Sequence, residues 1–369
     1  MYFKKIELKN FRNYEEEEIE FNDKVNIITG KNAQGKTNLL ESLYIMSLGK
    51  SFRTNKDIEM IGFEKDYCRA KSLSVKEGRE LEIEINIGRE GKTVKINGSK
   101  TEKNIELLEN VFTVVFSPED LKIVKDEPEK RRRFIDRELC QLKPVYYKNL
   151  GRYKKILQQR NSLLKQQEIK EDVIDVWDES LAEYGAKIIQ ERSRFIGKLN
   201  EISKEISRRI TNGKETLEIS YDANIEKKES LEEQKYYLKK ELSKNLKADI
   251  FRRSTSAGPH KDDLRICAEG MDIRRFGSQG QQRTAALSLK LAEIKMIREE
   301  TGVSPILLLD DVLSELDEER QRFLIRSMEE IQLFITTAEL NEEVKKQLSA
   351  GETFFVENGT VKKMEKYSK

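Results

Sequence analysis

Residues 24–37 constrain this chain more than any other stretch. An apolar run at 24–29 (KVNIIT) leads straight into Gly30-Lys31-Asn32-Ala33-Gln34-Gly35-Lys36-Thr37, and an apolar helical segment with Leu39, Leu40, Leu43 and Tyr44 follows. The octet matches G-x-x-x-x-G-K-[ST] in the strand–loop–helix setting that gives the pattern its meaning. Its two glycines let the backbone curl so that several N–H groups point at a β-phosphate, and the dipole of the following helix favours the anion. Lys36 is placed to bridge β- and γ-phosphates, and Thr37 to ligate Mg²⁺. An α/β fold that binds a nucleoside triphosphate is the expectation.

A phosphate loop of this kind needs a carboxylate on the metal side and a group that orients the attacking water. Ile306-Leu307-Leu308-Leu309-Asp310-Asp311 supplies both at the end of an apolar strand. That strand is expected beside the one presenting the loop, with Asp310 toward the metal and Asp311 as the water-polarising base. Ser314-Glu315-Leu316-Asp317 follows at once. Phe276-Gly277-Ser278-Gln279-Gly280-Gln281-Gln282-Arg283-Thr284 precedes a long apolar-periodic helix. A serine and a glycine at a helix start leave N–H groups and a hydroxyl facing outward, which makes a second phosphate-binding position.

Three textures follow one another along the chain. Residues 1 to about 120 read as strands and turns. Leu81, Ile83, Ile85 and Ile87 alternate with polar residues, and a turn through Gly88 and Gly91 returns the chain through Val94 and Ile96, a hairpin signal. Residues 111–116 read as a buried strand closed by Ser117-Pro118-Glu119-Asp120, a helix start. From about 128 to 250 the pattern is helical. Trp177, Leu181, Tyr184, Ile188, Phe195, Leu199, Ile202, Ile206 and Ile210 make one stripe with Arg192 as its polar break, and Leu231, Leu238, Leu242 and Leu246 make a returning partner. Leu217, Ile219 and Tyr221 alternate as a short strand. Residues 278–299 read as a helix, and Ile306–Asp310 and 333–336 as strands.

Charge restricts the partners. Charged residues make up 37% of the 369, yet 69 Lys+Arg against 67 Asp+Glu leave a net charge of only +2. Any nucleic-acid surface must therefore come from local segregation. Residues 128–170 provide it, with thirteen Lys/Arg (among them Lys130, Arg131, Arg132, Arg133, Arg152, Lys154 and Lys155) against the acids Glu129, Asp136, Glu138 and Glu168, a local +9 interleaved with Phe134, Tyr146, Tyr147 and Tyr153. Such a stretch would grip phosphates without reading sequence. Cys68, Cys140 and Cys267 form no C-x-x-C pair, so no zinc site or disulfide framework is signalled. The charged opening MYFKKIELKNFRNYEEEE and the lack of a ~20-residue apolar run give the expectation of a cytoplasmic protein without a membrane partner.

Taken in order, the phosphate loop, the S-x-G-Q segment, the strand with paired acids and the S-E-L-D segment resemble ABC-type ATPase heads. Within that class the chain is most similar to the RecF family of bacterial recombination mediators. The strings are KNFRNY (residues 9–14), FSPEDL (116–121), GPHKDDL (258–264), FGSQGQQRT (276–284) and LLDDVLSELD (308–317). The resemblance implies an α/β, two-lobed ABC-type P-loop ATPase head of the SMC kind with an inserted helical lobe and a short coiled-coil-like arm. Lobe I would comprise 1–120 plus about 295–369. Lobe II would span about 121–294, with the arm at about 145–250 and the signature. Arg12 and Asn38 join residues 30–37 as nucleotide contacts. Ser278, Gln279, Gly280 and Gln281 would meet the ATP held by Lys36 of a second subunit, with Ser314 and Asp317 in the D-loop. The implied activity is ATP-dependent binding of gapped or junction DNA as a homodimer, working with RecO and RecR to load RecA in repair, replication and the SOS response.

Two departures from the wider class carry consequences. Asp311 stands where Glu is usual, and one methylene less draws the carboxylate back by about 1.5 Å, so slow, switch-like hydrolysis is expected. A kcat in the hundreds per second would contradict it. Thr336-Thr337-Ala338 occupies the place of the usual switch histidine, and Pro118-Glu119 the place of the Q-loop glutamine. His260, the single histidine, reads as structural. Other readings are an SMC-like chromosome-organising head, disfavoured by the short arm and the absence of a Cys hook, and the energising subunit of a membrane transporter. A structural DNA-binding protein with a decayed loop is the third.

Overall fold

The computed structural model describes residues 1–101, 104–166, 171–328, 330–338, 348 and 351–364. Glu168 and Lys170 of the basic stretch lie outside them. Two compact units result, Met1–Leu121 with Lys290–Lys369, and Lys122–Leu289.

The first unit starts with β1 (Tyr2–Phe11), β2 (Tyr14–Glu20), β3 (Val25–Thr29), α1 (Lys36–Leu48), β4 (Tyr67–Lys76), β5 (Arg79–Gly88), β6 (Gly91–Ile96), β7 (Ser99–Lys100), β8 (Thr113–Phe116) and the single turn α2 (Pro118–Leu121). The second unit holds α3 (Pro128–Leu142), α4 (Pro144–Leu163), α5 (Glu171–Ile210), β9 (Leu217–Asp222), α6 (Leu231–Arg252), β10 (Asp263–Ala268), β11 (Met271–Asp272) and α7 (Ile273–Phe276). Helix α8 (Gln279–Thr301) leads back to the first unit, completed by β12 (Ile306–Asp310), α9 (Glu318–Arg326), β13 (Leu333–Thr337), β14 (Glu352–Glu357) and β15 (Thr360–Met364).

Two six-stranded sheets build the first unit. One has the order β2-β1-β4-β5-β6-β7 and is antiparallel; its hairpin pairs Gly88 with Gly91, as the alternation predicts. The other has the order β15-β14-β3-β13-β12-β8, parallel except for β15. Helix α1 touches β1, β4 and β5 of the first sheet and β8, β12 and β13 of the second. Sandwiched in this way it is buried all round rather than along one stripe: Leu39, Leu40, Leu43, Ile45 and Met46 are all inside. Two further devices join the sheets. Gln332 donates from Nε2 to the carbonyls of Phe3 and Asn22 at 2.8 Å each and accepts from Phe3 N–H at 2.7 Å. Phe21 meets Phe334 edge-on at 4.9 Å and Phe354 at 5.8 Å.

In the second unit the 40-residue α5 extends ~60 Å at 1.5 Å per residue. It packs on α4, α6 and β9, so its apolar stripe serves three partners and not the returning helix alone. Lys235 pairs with Glu179 at 2.6 Å and Lys239 with Asp175 at 3.2 Å, which sets α6 antiparallel to α5. The polar break at Arg192 has a buried answer. Its guanidinium lies 2.8 Å from Asp136 and donates to the Pro259 carbonyl at 2.6 Å, with Asp262 at 3.4 Å. Arg160, fully buried, is held by Asp178 and Asp249 at 2.5 and 2.8 Å. Removing one partner from such a buried pair is costly, about 3–5 kcal/mol, because a charge is stranded.

Candidate functional site

Strand β3 ends at Thr29, and the loop that follows bends through left-handed backbone at Gly30 (φ 143°), Ala33 (φ 65°) and Gly35 (φ 122°). A Cβ at Gly30 would stand 2.3 Å from the Val356 carbonyl oxygen of β14, so glycine is required there by close approach as well as by φ. Lys31, Asn32 and Ala33 form the exposed crown, while Lys36 is buried. Its ammonium donates to the Gly30 carbonyl at 2.8 Å and to the Lys31 carbonyl at 3.2 Å. The loop's own oxygens thus hold the cation at its centre.

Around this crown lies a cage that sequence reasoning missed. Asn13 Nδ2 donates to the Gln34 carbonyl at 2.8 Å, Asn38 Nδ2 to Asn13 Oδ1 at 2.8 Å, and Tyr14 OH to the Gly35 carbonyl at 2.9 Å. From the other side, Asn358 N–H reaches Gln34 Oε1 at 2.7 Å and Gly359 N–H reaches the Gln34 carbonyl at 3.1 Å. Asn358-Gly359 turns β14 into β15, and the N-G dipeptide after Thr353-Phe354-Phe355-Val356 is a strong hairpin signal that could have revealed it. Arg12, an expected nucleotide contact, is anchored on α1. It forks onto the fully buried Glu41 of α1 with two bonds of 2.8 Å, and also donates to the Glu59 carbonyl. Asn38 is further fixed by Arg53 Nη1 at 2.6 Å.

Thr37 Oγ1 donates to Asp310 Oδ1 at 2.8 Å, so residues 273 positions apart converge. The strand carrying Asp310 is not the immediate neighbour of the loop strand, contrary to expectation, because β13 lies between β3 and β12. The inserted strand has a use. Thr336 on β13 donates to Asp310 Oδ1 at 2.9 Å and accepts the Asp311 N–H at 2.9 Å. Burial pushes the Asp310 carboxyl up from its ordinary range, and the bonds from Thr37 and Thr336 oppose the shift. Asp311 itself adopts left-handed backbone at φ 51°, a strained conformation for a non-glycine residue that functional sites retain. Ser314 Oγ donates to the Asp311 carbonyl at 2.7 Å, and Asp317 caps α9 by accepting Arg320 N–H at 3.0 Å. Ser117, at the expected helix start, donates from N–H and hydroxyl to Asp120 Oδ2 at 2.9 Å each.

In the second unit Ser278 and Gln281 form a reciprocal capping box. The serine hydroxyl accepts Gln281 N–H at 3.2 Å, and Gln281 Oε1 accepts Ser278 N–H at 2.9 Å. The helix start is therefore less open than expected, since this N–H and the hydroxyl are engaged with each other's residue. Ser278 and Gln279 remain exposed, and Gly280 is half-buried.

The basic stretch divides. Arg131 is turned inward and 1% exposed, forking onto Asp263 at 2.6 and 2.8 Å and donating to the Asp126 carbonyl at 2.5 Å. It is a structural cation, not the exposed DNA contact expected of it. Arg132 donates to the Asp262 carbonyl at 2.6 Å. Lys130 and Arg133 pair with Asp126 and Glu129 at 2.8 and 2.6 Å on the surface, and Arg152 donates to Tyr184 OH at 2.9 Å. Lys154 and Lys155 are exposed, Lys154 at 4.0 Å from Asp136. His260 is structural: Thr255 O at 2.9 Å accepts from Nε2, so Nδ1 accepts from Tyr153 OH at 2.7 Å. Burial lowers its pKa to about 4.

Among the described residues no helix is long and apolar enough to cross a membrane, and no group of three or more His, Cys, Asp or Glu forms a metal cage. Residues 2–362 match the family profile described as RecF/RecN/SMC N terminal domain. The chain is 45% identical over 368 residues to a DNA replication and repair protein RecF of Clostridium botulinum (strain ATCC 19397 / Type A), covering 99% of this chain and all of that one. It is also 45% identical to the RecF of Clostridioides difficile (strain 630) over 363 residues, 98% of each. Among solved structures it is similar to the recombination mediator protein RecF with ATP in the RecFOR pathway, at TM-score 0.90 and 39% identity, covering 99% and 98% of the two chains. An SMC head bound to a winged-helix domain of ScpA shares the fold at TM-score 0.56 and 17% identity, with coverage of 99% and 97%.

Proposed function

The chain belongs to the RecF family, and from that premise we propose that it is an ATP-dependent DNA-binding recombination mediator of gap repair. The observation that carries the reading is the 2.8 Å approach of Thr37 to Asp310, beside the caged loop that holds the Lys36 ammonium. In this reading Lys36 exchanges the carbonyls of Gly30 and Lys31 for phosphate oxygens of ATP. The hard oxygens of Thr37 and Asp310 fit Mg²⁺, which usually takes one or two protein ligands beside substrate phosphates rather than an all-protein cage. Mg²⁺ would there neutralise charge on the β- and γ-phosphates.

Asp311 holds the attacking water and takes up its proton, and its short side chain supports slow turnover. The Ser278 hydroxyl accepts within the capping box, which leaves its O–H hydrogen to donate. Pre-aimed in this way, it would meet the γ-phosphate held by a second copy, so that ATP joins two subunits and hydrolysis releases them. Gapped or junction DNA, RecO, RecR and the loading of RecA follow from family membership, as do the SOS response and the cytoplasm.

Light scattering with ATP–Mg²⁺ or ADP–Mg²⁺, paired with anisotropy on gapped DNA, tests the reading. ATP alone should double the mass and raise the affinity for the gap. A mass and an affinity that ignore the nucleotide would overturn it.

A further inference from the structure

In the second unit α7 touches β10 of the three-stranded sheet, and a cavity of about 300 Å³ lies beside them, open to solvent on one side. Four arginines line it (Arg131, Arg265, Arg274 and Arg275), together with Asp222, Asp263 and Asp272. Their charges do not cancel. Asp263 is taken by the bidentate fork of Arg131, and Arg274 stands a further 4.0 Å from it. Asp272 caps α7, accepting Arg274 N–H at 2.9 Å. The guanidinium groups of Arg265 and Arg275 have no hydrogen-bond or ion-pair partner among the described residues, and both residues are exposed. The one uncommitted acid is Asp222, the cross-strand partner of Asp263.

Two unmatched arginines lining one small polar cavity make a receptor for an anion. Their planar forks suit phosphate oxygens, which they can grip with paired, charge-assisted bonds. The volume lies at the lower limit for ligand pockets, which fits a phosphate-sized group and excludes a large organic ligand. We propose that this cavity binds a phosphate anion through Arg265 and Arg275, either free polyphosphate or a phosphate of a nucleic-acid backbone. Its position has a consequence, since α7 is separated from Ser278 by Gly277 alone. A bound phosphate would steady the turn that aims the capping-box serine. Asp222 sets the limit on affinity, because its carboxylate repels the same ligand.

Calorimetry tests this on the full chain held with a saturating non-hydrolysable ATP analogue and Mg²⁺, so that the phosphate loop is filled. The probes are inorganic pyrophosphate and a twelve-residue oligothymidylate. The double variant Arg265→Ala/Arg275→Ala should weaken one or both by about tenfold or more, since both charge-assisted grips on the anion are lost. Loss for pyrophosphate alone identifies a free anion, and loss for the oligonucleotide identifies a backbone phosphate. Asp222→Asn, at an exposed position, should tighten the same probe by about two- to fivefold, as removal of one surface like charge does. A gain of affinity cannot come from misfolding. Binding unaltered by the double variant, or no gain with Asp222→Asn, would overturn the assignment.

Discussion

The hydroxyl of Thr336 has one hydrogen and two lone pairs, and it spends both kinds of capacity in the candidate site. It donates to Asp310 and accepts the Asp311 N–H, tying the acid proposed for the metal to the strained backbone of its neighbour. In sequence it was only the residue standing near an absent histidine, because a threonine at a strand end has no distinguishing pattern. Thr336→Val keeps the shape and removes both bonds. Turnover of ATP should fall about ten- to a hundredfold, from the ~1.5–3 kcal/mol of bonds to charged groups, while ATP affinity changes by less than about threefold, and Thr336→Ser should restore the rate. Steady-state kinetics with a Kd for ATP decides it, and wild-type turnover in the valine variant would remove Thr336 from the site. His260 makes a second residue-scale case. Its folded pKa of about 4 lies below the unfolded ~6.5, so only the unfolded chain takes a proton between these values. Its contribution is full above pH 6.5 and declines as the pH falls toward 4, by about 3 kcal/mol in all. Urea unfolding at pH 7 and pH 4.5 should show a steeper loss for the wild type than for His260→Asn. The buried acids that titrate nearby are common to both chains and cancel.

Elements explain why some of the site was legible and some not. The loop, α1 and β12 could be read because each carries its signal locally: glycines at required turns, a lysine and threonine at set spacing, an apolar strand ending in two acids. The buttress from the β14–β15 hairpin could not be assigned, although its Asn-Gly turn is explicit, because nothing local says which loop a hairpin tip will touch. The hairpin makes its own prediction. Gly359 sits at φ 73°, and a Cβ there would fall 2.0 Å from the Asn13 carbonyl oxygen. Gly359→Ala should displace the tip from Gln34 and weaken ATP binding by about tenfold, consistent with losing one or two hydrogen bonds of ~1 kcal/mol each. Gly213→Ala, where a Cβ meets nothing within 4 Å, controls for turn strain alone. Equal ATP affinity in the two variants would refute the buttress. In the second unit, GPHKDDL is legible as a string but not as a clamp: Pro259 and Asp262 engage Arg192 while Asp263 engages Arg131.

For the whole molecule the near-neutral total of +2 conceals two uses of charge. Some cations are buried against acids far away in sequence, as Arg131, Arg160 and Arg192 are; others stay in water. The DNA contact proposed for this chain would draw on the second kind. Lys154→Glu with Lys155→Glu should lower affinity for duplex DNA at low salt and reduce the salt slope by about 2 if each lysine meets one phosphate, with thermal stability retained. Arg131→Ala should instead cost about 1–3 kcal/mol of stability by removing the bidentate bonds to the part-buried Asp263. Anisotropy across a salt series and thermal unfolding separate the two, and an unaltered slope in the lysine pair would send the search for DNA contacts elsewhere. What the sequence determined alone was the chemistry that depends on neighbours along the chain: the phosphate loop, the paired acids, the helix start at Ser278 and the alternation of the strands. Tertiary structure decided which charges are available. A cation's role depends on whether an acid meets it in space, and the partners of Arg12, Arg131 and Arg192 lie 29 to 132 residues away, beyond any local pattern.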